Sequence, residues 1–232
     1  MTGASIADDP RVDGLSDSAR RLLRRPRPRY HGLLHFWAAI VSVPVGVALV
    51  AAADGNRARV ALGLFSLGST LMLATSALVH DRDWPVERVE TLVRLDHSTI
   101  FLKFATSTTP IAMLALDGAV SRWMLAVVWI GAVLGVLAEW IPFHPPPGLV
   151  NALYLSFGWG MLVFTPWMVS ALTTTQLVLL FTGGAAYTVG AVVVGARRPD
   201  PWPDVCGYHE IWHVFVVIGV CLHTAMAASL GW

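Results

Sequence analysis

Apolar residues in this chain come in long blocks separated by short polar links. Seven blocks can be marked, at 33–53, 60–80, 97–116, 123–141, 149–171, 176–196 and 209–231. Each is close to the roughly 18 to 25 residues with which a helix crosses about 30 Å of hydrocarbon while satisfying its own backbone. The links carry turn residues or charge: "DGNRAR", "DRDWPVERVETLVRLD", "DGAVSR", "PFHPPPG", "TTTQ" and "RRPDPWPDVCGY". The pattern predicts an all-α integral membrane protein, a seven-transmembrane helix bundle forming one domain over 30–232.

Composition agrees. Of 232 residues, 55% are hydrophobic and 13% charged, against about 25% charged in an ordinary soluble domain. The first 29 residues differ in kind. Residues 1–14 are small, polar and acidic, so disorder is expected. The stretch "LSDSARRLLRRPRPR" that follows is basic and suited to a short helix on an anionic leaflet. It reads better as a topological anchor than as a specific lipid site. No apolar run and small-residue cleavage site follow it at the spacing of a signal peptide. With the N-terminus cytoplasmic, that side receives Arg20, Arg21, Arg24, Arg25, Arg27, Arg29, Arg82, Arg88, Arg94, Arg197 and Arg198. The opposite side receives only Arg57, Arg59 and Arg122. Positive residues concentrate on the cytoplasmic side, so the expected orientation is N-terminus cytoplasmic and C-terminus extracytoplasmic.

That orientation sorts the histidines by depth. His80 ends the second block, Asp96 and His97 open the third, and His209 and His213 open the seventh, all at the cytoplasmic boundary. "HEIWH" at 209–213 places two imidazoles one helical turn apart on one face. A zinc ion takes four ligands, of which a catalytic site leaves one to water. His80 is the natural third donor, since Ser76 and His80 share the same four-residue spacing and face. Asp96 is placed to hold the water or orient an imidazole. The same pentapeptide also matches the H-E-x-x-H pattern of zinc proteases, with Glu210 as base. In that reading the third ligand comes from further along, and no Asp or Glu follows His213. His223 lies about 15 Å deeper along the helix, which weakens the protease reading without removing it.

Other ionisable residues carry less. His35, at a helix end, reads as a hydrogen-bonded or interfacial residue rather than a ligand, and for His97 the two readings are even. Lys103, the only lysine, shares a helix face with Asp96 and, facing inward, needs an anion or a polar cavity, with Glu139 a candidate partner. Cys206 and Cys221 are about 22 Å apart along one helix, too far for a disulfide. Trp37, Trp84, Trp123, Trp140 and Trp202 lie near block ends, as interfacial anchors do. There is no dinucleotide or phosphate-binding loop and no nucleic-acid motif.

Five segments, "SALVH" (76–80), "LDHSTIFL" (95–102), "FGW" (157–159), "GGAAYTVGA" (183–191) and "HEIWHVFVVIG" (209–219), occur in one order across the blocks. Together they resemble the hemolysin III family, related to the progestin and adipoQ receptors. The resemblance covers about residue 30 to the end. It implies a zinc site near the cytoplasmic face with His80, His209 and His213 as metal ligands, Asp96 beside a bound water, and Glu210 an incidental neighbour. From the related alkaline ceramidases it further implies hydrolysis of a lipid amide or ester, with Asp96 as base and Ser76 near the oxyanion or the metal. Three readings stay open: a zinc-dependent lipid hydrolase, a non-enzymatic membrane sensor or homeostasis protein with structural zinc, and an intramembrane metalloprotease. The expected location is the cell membrane, with membrane lipids as partners. A cytolysin must be water-soluble before insertion, which this composition does not favour.

Overall fold

The computed structural model describes residues 9–24, 27–142 and 149–231. The disorder expected of residues 1–8, Arg25 and Pro26 of the basic stretch, and the link at 143–148 lie outside the described residues. Among those described, the regular elements are all helical. They are α1 (Asp17–Arg24), α2 (Leu33–Ala52), α3 (Gly55–Asp81), α4 (Val86–Pro110), α5 (Gly118–Glu139), α6 (Leu149–Gly160), α7 (Thr165–Ala171), α8 (Thr174–Ala196) and α9 (Tyr208–Ala228). A 3-10 turn, Met161–Phe164, joins α6 to α7, and a π turn, Ile111–Ala115, continues α4.

Among the described residues, six segments are long and apolar enough to cross a membrane: α2, α3, α5, the α6–α7 run, α8 and α9. Helix α4 matches them in length but carries Glu87, Arg88, Glu90, Arg94, Asp96 and Lys103. It packs between α3 and α5, and α9 touches both α2 and α3, so consecutive helices close into a ring.

The surface has the polarity of a molecule dissolved in lipid. Val47, Ile130 and Val163 face outward, 64%, 60% and 66% exposed. Ser69, Ser76, Ser98, Thr99, Thr106 and Thr109 are buried among the helices. Contiguous outward apolar surface of this kind marks membrane contact, and small polar residues at helix interfaces are the usual packing of a membrane bundle. This is a multi-pass membrane protein.

Local chemistry sets the helix ends and crossings. Pro110 lacks an N–H and ends the regular α4 ladder. Beyond it, carbonyls of the π turn are taken up by Leu116 N–H to Ile111 O at 3.2 Å and Ser121 Oγ–H to Ala112 O at 2.6 Å. Thr173 and Gln176 cap α8 reciprocally, side chain to backbone, at 3.3 and 2.9 Å. The Gln176 amide also donates to Ser229 O and Oγ at 3.2 and 3.1 Å, tying the start of α8 to the end of α9. Along that pair, a Cβ at Gly190 would lie 2.4 Å from Trp212 Cε3, so only glycine permits this approach.

The amino-terminal segment is ordered from residue 9. Residues 10–14 form a 3-10 turn within the stretch whose composition suggested disorder. Arg11 pairs with Asp9 and reaches Glu87 of α4, while Val12 is fully buried. Ala19 of α1 packs against Val79, Val89 and Val93 of α3 and α4, so the apolar side of this short helix meets protein.

Candidate metal centre

The seventh block begins with a helix start that its own third residue stabilises. Glu210 Oε2 accepts the Gly207 N–H at 2.7 Å, satisfying one of the orphan donors of the first turn. His209 and His213 follow on one face of α9, and His80 comes from the last turn of α3. Their ring centroids are 4.6 Å apart for His80–His209, 4.6 Å for His209–His213 and 5.2 Å for His80–His213. One nitrogen from each ring lies within 4.8 Å of the other two.

This set fits a metal ion. His80 Nε2 and His209 Nε2 are 3.3 Å apart. Zinc–nitrogen bonds of about 2.0–2.1 Å in a tetrahedron separate two ligand nitrogens by about 3.3 Å. The His213 nitrogen lies within 4.8 Å of the other two, so metal binding draws it inward. His80 and His213 are buried and His209 half-buried, which removes bulk water as a competing solvent for the nitrogens.

Helix α4 brings Asp96 alongside, with Oδ2 3.9 Å from His80 Nε2. Ser76, one turn before His80, is buried and lines the same cavity. The residues named from sequence thus meet at one place. The cavity has a volume of about 660 Å³ and runs from the imidazoles past Asp96 and Lys103 to Phe104, Phe157, Tyr187 and His223. Its walls are largely apolar and its volume lies in the range of small-molecule binding sites.

Other expectations change. Glu210 is not an incidental neighbour: besides capping α9, its Oε1 lies 2.7 Å from His31 Nδ1. His31 Nε2 in turn lies 3.1 Å from His80 Nδ1. His31 was not singled out from sequence because it precedes the first apolar block. The signal was its spacing of four from His35, the same spacing as His209 and His213. His35 is no interfacial residue either. It is 2% exposed, and its ring stacks on that of His213 at 3.8 Å with a 13° tilt.

Lys103 does not meet Glu139. Its amine donates to Ser69 Oγ at 2.6 Å and lies 4.0 Å from the Phe65 ring centroid. Glu139 is engaged by His97 Nδ1 at 3.3 Å and accepts from Tyr154 Oη–H at 3.1 Å. Cys206 is half-buried and outside the trio, and burial pushes its thiol above the usual range, with Glu210 adding to the effect. A thiol held protonated is a poor metal ligand.

The chain is 29% identical to "Hemolysin-3" of Bacillus cereus over 193 residues, covering 82% of this chain and 84% of that protein. It is 26% identical to "Hemolysin-3 homolog" of Bacillus subtilis (strain 168) over 192 residues, covering 82% and 87% respectively. A family model described as "Haemolysin-III related" matches residues 23–224, which include the three imidazoles and Asp96. The chain therefore belongs to the haemolysin-III related family of multi-pass membrane proteins.

Proposed function

We propose that His80, His209 and His213 hold one zinc ion and that the protein hydrolyses a lipid amide or ester drawn from the cytoplasmic leaflet. On this reading α4 is the seventh span, the amino terminus is cytoplasmic and the carboxyl terminus is outside. The observation that carries the reading is a trio of imidazole nitrogens within 4.8 Å of one another, opening on a largely apolar cavity.

When bound, zinc supplies a Lewis acid and an acidified water. The chain supplies the rest. Asp96 Oδ2, 3.9 Å from His80 Nε2, takes the proton of the attacking water. Ser76 Oγ–H donates toward the developing oxyanion, and the apolar walls seat the acyl chain and exclude bulk water. The protease reading uses Glu210 as base, but both its carboxylate oxygens are already engaged, by Gly207 N–H and by His31. The relatives' name speaks of haemolysis; an outward surface this apolar suits residence in the cell's own membrane.

The test is fatty-acid release from a panel of ceramides, N-acylethanolamines and phospholipids by purified, zinc-loaded protein. Asp96→Asn is expected to abolish release while keeping the metal. Metal-loaded wild type that releases no fatty acid from any of these overturns the hydrolase. The trio also joins α3 to α9, elements far apart in the chain, which favours a second reading in which zinc only fastens the bundle. A fall in melting temperature on metal removal, without turnover of lipid, belongs to that reading.

A further inference from the structure

We propose that His31 is a positioning residue that locks His80 in its metal-binding tautomer, with Glu210 fixing His31 in turn. The inference rests on the zinc reading above and concerns residues that reading does not use.

The argument follows the donors and acceptors along the chain of contacts. A carboxylate only accepts. Glu210 Oε2 receives the Gly207 N–H at 2.7 Å, and Oε1 lies 2.7 Å from His31 Nδ1, so Nδ1 carries the hydrogen. On the zinc reading His80 Nε2 must be a bare lone pair, which puts the His80 hydrogen on Nδ1, where it needs an acceptor. His31 Nε2, 3.1 Å from His80 Nδ1, is that acceptor. His80 Nε2 is left with a free lone pair. That is the atom 3.3 Å from His209 Nε2 and 3.9 Å from Asp96 Oδ2. Every link thus agrees with the same tautomer, the one that presents a ligand to the site.

The segment bearing His31 is itself held in place. Arg29 N–H donates to Asp204 O at 2.9 Å and Tyr30 N–H to Val205 O at 3.3 Å. The turn before α2 is thereby strung to the link that enters α9. Both His31 and Glu210 are shielded, their side chains 9% and 6% exposed, so water does not readily replace either bond. The start of the bundle thus completes a site whose ligands come from α3 and α9. Partners of this kind typically contribute 10- to 100-fold to metal affinity.

The experiment uses the full-length protein in detergent, with zinc affinity from competition against a chromogenic chelator and cobalt(II) absorption as a second readout. His31→Phe keeps a ring in the space but removes both nitrogens. His31→Gln can donate to Glu210 and accept from His80 Nδ1–H. The expected result is zinc affinity lowered by about 10- to 100-fold in His31→Phe, a changed cobalt spectrum, and recovery of most of both in His31→Gln. Wild-type affinity in His31→Phe, or a loss in His31→Gln as large as in His31→Phe, overturns the proposal. Wild type and His209→Ala serve as references. Zinc bound by wild type and lost by His209→Ala keeps the metal reading whatever His31 shows, whereas no zinc on wild type overturns both.

Discussion

Replacing Ser69 by Ala tests how the bundle tolerates a lysine in its interior. Lys103 is 5% exposed and, among the described residues, no acidic partner compensates it. Ser69 Oγ–H is committed to Phe65 O at 2.8 Å, leaving a lone pair for the Lys103 amine at 2.6 Å. Removing this acceptor alone strands a buried amine, at a cost of about 1.5–3 kcal/mol for a hydrogen bond to a charged group. Removing the amine gives a different balance. Lys103→Met loses that bond and a cation–π contact worth about 2 kcal/mol, but it relieves a burial cost of about 2.5–3.5 kcal/mol. The net change is then a loss of at most about 2.5 kcal/mol. In the Lys103→Met background Ser69→Ala should then be close to neutral, giving a coupling of roughly 1.5–3 kcal/mol between the two sites. Reversible unfolding in mixed micelles, titrated with denaturing detergent, measures all four corners of the cycle. Equal costs for Ser69→Ala in both backgrounds would refute the reasoning.

The α8–α9 seam yields two further expectations and the α2–α3 pair one. A Cβ at Gly190 would meet Trp212 Cε3 at 2.4 Å and Phe215 Cβ at 2.9 Å, so Gly190→Ala should cost about 1–3 kcal/mol in the same assay. Gly63→Ala, whose Cβ meets only Val50 Cγ2 at 3.7 Å, should be neutral or gain up to about 1 kcal/mol in helix propensity. Gln176→Leu removes the side-chain acceptor of the Thr173 N–H and both bonds to Ser229 while leaving the 176 N–H on Thr173 Oγ1, and a drop of about 2 kcal/mol is expected. A Gln176→Leu protein as stable as wild type would show that this tie contributes nothing.

Hydropathy located most helices but not the start of α4. The apolar block begins at 97, whereas the helix begins at Val86, because Glu87, Arg88, Glu90 and Arg94 are good helix formers that a hydropathy reading discards. The break between α6 and α7 was equally invisible, since the block at 149–171 stays apolar through the 3-10 turn. The trio was legible because the four-residue spacing of His209 and His213 is a helical signal and His80 shares their depth. His31 was not, because its partners are fixed only when the turn before α2 folds against the link before α9. The partners of Lys103 were misjudged for a related reason. Spacing gives the face a side chain occupies, while Ser69 on α3 and Tyr154 on α6 decide which carboxylate or hydroxyl is free to meet it.

The central claim is that one metal ion is shared by α3 and α9. Elemental analysis of detergent-purified wild type, His80→Ala, His209→Ala and His213→Ala tests it most directly. The account predicts about one zinc per chain in wild type and a marked loss in every one of the three variants. Full zinc retained when His80 is replaced would contradict it, and would mean that the pair on α9 binds its metal without α3.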